Sequence, residues 1–250
     1  MMWLSYYLRK DVHPESKKMI IRIFIWGAAI TLPVFFVQIG LQKVLNISLA
    51  GFGLPDLNYL LRSSFSNLQP LGIIAVSIYW FLIISFSEEI FKYLVVRFRV
   101  FTHYEFDEPV DAMLYMVIAA LGFAALENIL YLFSPIDVVS FNDALNRTIV
   151  VSLVRFLGAT FLHTLCSGVI GYFMALAFCE TEKKIRLVFL GIFIATFFHG
   201  LYDFSIMGFR GPLQFLLPIA ILTGLAIFVF SAFNKVKSMK SICKFYKSRS

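Results

Sequence analysis

Long apolar runs dominate the chain, and its polar positions are gathered between them. Six runs are long enough to cross a bilayer as helices, which takes about 20 residues each. They lie near residues 19–41, 71–96, 110–133, 148–179, 185–207 and 213–233. The pattern predicts an all-α fold, a polytopic membrane helix bundle with about six transmembrane helices. The first run follows a charged segment and is too long for the apolar core of a cleaved signal peptide, so it is expected to be a retained anchor.

Composition sharpens this expectation. Of the 250 residues, 60% are hydrophobic and 15% charged, against roughly 45–50% and about 25% in soluble domains. Surface area falls too slowly with size for a soluble domain of this length to hide so much apolar side chain. A soluble enzyme, a disordered tail and a secreted disulfide scaffold are excluded. Cys166 and Cys179 lie in one apolar run and cannot pair along a single helix, and Cys243 stands alone in a basic tail. That set gives no disulfide framework and no zinc-ligand spacing.

The net charge of +7 is explained by its distribution and points to no nucleic-acid partner. Alternate connections hold Arg9, Lys10, Lys17, Lys18 and Arg22, then Arg97 and Arg99, then Lys183, Lys184 and Arg186, then six basic residues from Lys235 to Arg249. The opposite side holds only Lys43, Arg62, Arg147 and Arg210. By the positive-inside rule both termini are cytoplasmic. The organisation expected is a single transmembrane domain over 1–250, with a cytoplasmic segment 1–18 and a basic cytoplasmic tail 234–250. The external segment 42–70 reads as an amphipathic piece or a re-entrant loop, and carries the tripeptide Asn46-Ile47-Ser48. No internal repeat supports an inverted-repeat transporter.

Small residues mark where helices approach closely. Ser167, Gly171 and Ala175 form a small-xxx-small row on the fourth run, and Ala119, Ala120, Gly122, Ala124 and Ala125 thin the third. Those two helices are expected to be central.

Eight ionisable residues fall inside the apolar runs: Glu88, Glu89, Lys92, Glu127, Arg155, His163, His199 and Asp203. A charge at a helix centre costs about 2.5–3.5 kcal/mol on insertion scales, so these groups must pair or line a wet cavity. Glu88 and Lys92 are i,i+4 on one face and are expected to form an ion pair, which leaves Glu89 without one. Glu127 and Tyr131 share a face, as do His199 and Asp203, and an Asp one turn from a His can fix its tautomer. Arg155 suits either a carboxylate partner or a substrate carbonyl. A lone intramembrane His is usually a helix-to-helix hydrogen bond. Three glutamates and two histidines spread over four spans are a functional hypothesis by default. Counted along the helices from the external ends, Glu127 and His199 lie about 10–12 Å deep, His163 about 22 Å and Glu88 about 26 Å. One site then requires tilted, staggered or broken helices.

The motifs that carry these residues resemble those of the PrsW family of intramembrane proteases, which is related to the CAAX prenyl proteases and bacteriocin-processing enzymes. They are Glu88-Glu89-Ile90-Phe91-Lys92 (EExxK), the acidic loop Glu105-Phe106-Asp107-Glu108-Pro109-Val110-Asp111, Glu127 to Tyr131 (ExxxY) and His199 to Asp203 (HxxxD). Asp11-Val12-His13-Pro14-Glu15 joins them, and the likeness runs in order from about residue 11 to 204. Ala112 and Met116 depart from the family's small residues after the acidic loop. The resemblance implies Glu88, Glu89, Glu127, His163, His199 and Asp203 as the functional residues, with Lys92, Asn128, Tyr131 and Arg155 in support. It also implies a membrane-anchored protein substrate, such as an anti-sigma factor, and a multi-pass location in the inner membrane of a prokaryote.

The mechanism expected is hydrolysis by a glutamate-activated water. His163 or His199 would stabilise the oxyanion or protonate the leaving amine, and Asp203 would orient His199. A zinc version would take Glu127, His163 and His199 as ligands. The absence of HExxH favours the metal-free form, so the cofactor expected is none or zinc. The acidic loop and basic segments point to access from the cytoplasmic side. A proton-coupled transporter and a non-catalytic membrane adaptor are the competing readings.

Overall fold

Ser16 opens the first long helix: its hydroxyl accepts the Met19 N–H at 3.1 Å and faces both Glu105 carboxylate oxygens as a donor, at 3.0 and 2.9 Å. Such a side-chain cap satisfies one of the donors orphaned at a helix start. The computed structural model describes residues 16–63, 67–101, 103, 105–133, 149 and 155–239. The segment Asp11 to Glu15 lies outside the described residues, as do most of the connection between the third and fourth spans and the end of the basic tail.

Among the described residues the regular structure is helical throughout, with no strand. We number the helices α1 (Lys17–Gly51), α2 (Leu57–Arg62), α3 (Pro70–Arg99), α4 (Pro109–Leu132), α5 (Ala159–Cys179), α6 (Lys184–Gly208) and α7 (Leu213–Ser238). All but α2 are long and apolar enough to cross a membrane, giving the six spans that the apolar runs predict. Residues Tyr79–Phe86 of α3 are π-helical.

One boundary differs from that expected. Helix α1 continues to Gly51, because Gln42, Lys43, Asn46 and Ser48 interrupt the apolar run without interrupting the helix. It stops at Gly53, whose φ of +68° lets the Leu54 N–H reach Leu49 O at 2.9 Å and the Gly53 N–H reach Ala50 O at 3.0 Å. That is a Schellman termination. The segment expected to be an amphipathic or re-entrant piece begins as an extension of α1 and continues into α2, which buries Leu57 and Leu60 and exposes Tyr59. Asn46 Oδ1 accepts the Leu57 N–H at 2.8 Å, and Leu49, Leu57 and Leu60 pack against Ala75, Val76 and Trp80. At 35 residues α1 measures about 52 Å, well beyond a hydrocarbon core of about 30 Å. On the fourth run the helix is described from Arg155, with an interruption at Gly158 before α5 proper begins at Ala159, and the expected start near 148 lies outside the described residues.

Helices α4 and α5 are the most buried spans, as their small residues predict. A Cβ on Gly27 of α1 would collide with the Ala119 carbonyl, and one on Gly122 of α4 with the Phe24 carbonyl. One on Gly171 would lie 2.5 Å from Met113 Cα, so α5 and α4 touch through backbone. In lipid this close packing replaces the hydrophobic drive that holds soluble helices together.

The acidic loop has a structural task. Pro109 is the first residue of α4, and the buried Asp111 carboxylate accepts the N–H groups of Glu108 at 2.7 Å and Asp107 at 3.1 Å. This capping arrangement fixes the start of the central helix. Cys166 is free and buried.

Replacing Gly122 with Leu forces α1 from α4 and is expected to cost about 1–3 kcal/mol. It should lower the thermal midpoint in detergent by several degrees, whereas Gly40→Leu, at a position with open space, should leave it unchanged.

Candidate active site

The π-helical segment of α3 brings the first acidic residues into the bundle. A π turn leaves carbonyls without their α-helical partners, and here serine hydroxyls satisfy two of them. Ser85 donates to Trp80 O at 2.7 Å and Ser87 to Ile83 O at 2.6 Å. Such segments are frequent at functional sites. Gly200 of α6 makes room for the segment, since a Cβ there would lie 2.7 Å from the Phe81 ring. Glu88, Glu89 and Lys92 follow directly and are buried, with Glu89 and Lys92 fully enclosed.

Lys92 Nζ lies 2.6 Å from Glu89 Oε1, so the buried ion pair is i,i+3 with Glu89 and not the expected i,i+4 pair with Glu88. Both spacings place a carboxylate beside the ammonium. Glu88 is turned elsewhere because Gln38 Nε2 of α1 donates to its Oε1 at 3.1 Å. Lys92 Nζ also lies 3.0 Å from His163 Nδ1.

Each histidine is backed by its own carboxylate. His163 Nε2 lies 2.8 Å from Glu127 Oε2, and His199 Nδ1 lies 2.7 Å from Glu89 Oε1. A carboxylate only accepts, so these ring nitrogens are the N–H donors, and His163 Nδ1 and His199 Nε2 carry the lone pairs. Both nitrogens face Glu88 Oε2, at 3.8 and 3.7 Å, and the Lys92 ammonium donates to the His163 lone pair, a bond that a bound cation would replace. That oxygen is buried and has no hydrogen-bond partner. The two rings stand perpendicular with centroids 5.0 Å apart.

A second layer closes the less buried side. Arg155 Nη2 pairs with Glu127 Oε1 at 2.9 Å, its Nε donates to Asn128 Oδ1 at 3.2 Å, and its guanidinium lies 3.4 Å from the Tyr131 ring centroid. Asn128 in turn donates to Thr160 Oγ1 at 3.0 Å. Asp203 Oδ2 lies 3.4 Å from His199 Nε2, on the lone-pair side of the ring, and its side chain is 23% exposed. The hydrogen bond to His199 Nδ1 belongs to Glu89, not to the expected Asp203.

All ten residues singled out in the sequence thus join one network. Glu88 lies deep within the 30-residue α3 and still meets His163 and His199, because the π-helical segment Tyr79–Phe86 directly precedes it and the helices are staggered. Gln38, Ser87 and Thr160 belong to the network but were not expected. The signal for Gln38 is a polar amide within an apolar span, which must find a partner there.

The donor set fits a divalent cation. Ligand atoms from Glu88, His163 and His199 all lie within 4.8 Å of one another. Zinc bonds of about 2.0–2.2 Å in tetrahedral geometry place ligands roughly 3.4 Å apart, close to the separations between Glu88 Oε2 and the imidazole nitrogens. Glu89 and Glu127 occupy the outer positions that carboxylates take behind metal-bound histidines. The converging set has Glu88 where Glu127 was expected, because Glu127 meets the opposite nitrogen of His163 and pairs with Arg155. Glu88, Glu89, Glu127 and Asp203 face two fixed cations, Lys92 and Arg155. With neutral imidazoles the formal charge is −2, which one divalent ion balances.

Fold and site together define a polytopic helical membrane protein with a buried histidine–carboxylate centre able to hold such an ion. The chain belongs to the PrsW family: it matches the family described as PrsW family intramembrane metalloprotease over residues 15–233. It is 28% identical over 219 residues to a Protease PrsW of Oceanobacillus iheyensis, covering 88% of this chain and 84% of that one. A Protease PrsW of Geobacillus kaustophilus is 29% identical over 206 residues, 82% of this chain and 74% of the relative. A Protease PrsW of Bacillus subtilis is 26% identical over 220 residues, 87% and 84% of the two chains. No solved structure matches the chain.

Lys92→Met leaves Glu89 buried without its counter-ion and is expected to cost about 3–5 kcal/mol. The double variant Lys92→Leu/Glu89→Leu should lose less than the sum of the two single replacements in thermal unfolding. Additive losses would contradict a coupled pair.

Proposed function

We propose that the protein is an intramembrane peptidase that hydrolyses membrane-anchored proteins at the centre formed by Glu88, His163 and His199. One observation carries this reading: a buried carboxylate oxygen without a hydrogen-bond partner faces two imidazole nitrogens, and each imidazole is held from behind by its own carboxylate. The donor set and the family description support a divalent cation, and two imidazoles with one carboxylate suit zinc. This departs from the metal-free mechanism expected from the missing HExxH.

Glu88, His163 and His199 would hold the ion, which would supply Lewis-acid chemistry toward a carbonyl and a bound water. Glu127 and Glu89 keep the imidazole rings in one tautomer and orientation. Lys92 neutralises Glu89, and Arg155 neutralises Glu127. Asp203, the most exposed carboxylate of the network, takes the proton from the attacking water and delivers it to the leaving amine. Tyr131 and Arg155 rim the entrance.

The charge pattern puts both termini in the cytoplasm, and the relatives are bacterial, which supports the plasma membrane as the location. In that orientation Leu132, Ala159 and Gly208 end their helices on the outer side. Glu127, His163 and His199 then lie about 6–14 Å along the helices from those ends. The partly exposed Asp203, Arg155 and Glu127 lie on the less buried side of the network, which supports entry from the extracytoplasmic half as an alternative to the cytoplasmic side.

A second reading keeps the metal-free mechanism. Lys92 Nζ already bonds His163 Nδ1, which suits a site in which Glu88 is the base and the histidines serve the oxyanion. Purified protein tests the two. Zinc bound at one equivalent, with cleavage of single-span peptides that stops on chelation and returns with zinc, supports the metal reading. Glu88→Gln should abolish both binding and cleavage, and Glu127→Gln should weaken either by about 10–100-fold. Chelator-resistant cleavage by metal-free protein supports the second reading. Ion-coupled flux in liposomes without proteolysis would overturn both.

A further inference from the structure

We infer that Gln38 of α1 is a positioning residue of the centre, the group that aims Glu88 at the two histidines. The inference rests on the reading of Glu88 as a metal ligand and adds a residue from a helix that carries no other part of the site. Gln38 Nε2 lies 3.1 Å from Glu88 Oε1 and 3.2 Å from Ser87 Oγ. A carboxylate cannot donate, so the Gln38 atom facing it is the amide nitrogen, and its two N–H groups are both engaged.

The consequence for Glu88 is geometric. One oxygen is held by the amide, and the other is left unpartnered 3.8 Å from His163 Nδ1 and 3.7 Å from His199 Nε2. No cation within the network is bonded to Glu88: Lys92 takes Glu89 and Arg155 takes Glu127. Gln38 is therefore the residue that fixes the rotation of this carboxylate. A neutral donor can do so without neutralising it, which a Lys or Arg in the same place would do. The charge of Glu88 stays available to an ion.

Ser87 extends the device into the backbone. Its hydroxyl accepts from Gln38 and donates to Ile83 O within the π-helical segment. The amide thereby clamps α1 to the point where α3 returns to α-helix, one residue before Glu88. The register of the π segment and the direction of the carboxylate are set by the same contact.

The test is zinc affinity of the full-length protein in detergent, measured by competition with a chelating dye, with thermal midpoints recorded alongside. Wild type should bind one equivalent and Glu88→Ala none. Gln38→Met, unbranched and close in size, should weaken binding by about 10–100-fold, the range for outer-sphere partners of metal ligands. Its thermal midpoint should stay within a few degrees of wild type. If that variant does not fold, Gln38→Leu gives the same comparison. The cobalt-loaded protein should show altered visible absorption in the Gln38 variant, which a merely structural change would not produce. Wild-type affinity and an unchanged cobalt spectrum in a folded Gln38 variant overturn the positioning role alone. A wild type that binds no zinc, or a Glu88→Ala variant that keeps it, overturns the ligand set and this inference together.

Discussion

Hydrocarbon offers no water to solvate an ion, so every charge within the spans must be satisfied by protein or by a local aqueous pocket. This chain places six formally charged side chains and two imidazoles at one level of a helix bundle. They answer one another in a closed ring: Lys92 to Glu89, Glu89 to His199, His199 across Glu88 to His163, and His163 back to Lys92. Glu127 and Arg155 hang from His163. Removing any member strands another in a low-dielectric interior, which makes the network the main constraint on how the helices sit.

The rest of the bundle serves that constraint. Backbone contact at Gly27, Gly122 and Gly171 brings α1, α4 and α5 within reach of short acidic and imidazole side chains. Gly200 seats the π-helical segment beside His199, so the residues that follow it turn inward. Phe123 packs against both His163 and Lys92, shielding the inner side from lipid and water. A centre held this way is preorganised, because its side chains have few alternative partners. The remaining imbalance, two negative charges with neutral imidazoles, gives the site its chemical character. It is balanced by a divalent ion or by two added protons, and the two mechanistic readings differ in which one does so.

Much of this was legible in the residues. Apolar run lengths give the number of spans, and small-residue rows on the third and fourth runs identify the central helices. Glu88, Glu89, Glu127, His163, His199 and Asp203 stand out as ionisable groups in apolar surroundings. Their partners were less legible. Glu88 and Glu89 are equally placed by spacing to meet Lys92, and contacts from other helices distinguish them: Gln38 of α1 takes Glu88, and His199 of α6 takes Glu89. Apolar run length does not show how far α1 and α3 extend, so the stagger that brings the residues together is not legible in it. The acidic loop, part of the motif set, serves as a helix start, since Pro109 and Asp111 have the spacing of a cap. Gln38 went unnoticed because it carries no charge, although an amide in an apolar helix must also be satisfied.

The central claim is that Glu88, His163 and His199 hold one divalent ion between them. X-ray absorption at the zinc edge of the purified, zinc-loaded protein tests it most directly. The account predicts a first shell of nitrogen and oxygen at about 2.0–2.2 Å with the multiple scattering of two imidazoles, no sulfur, and loss of one imidazole contribution in His163→Ala. A shell containing sulfur, or one without imidazole scattering, would contradict it.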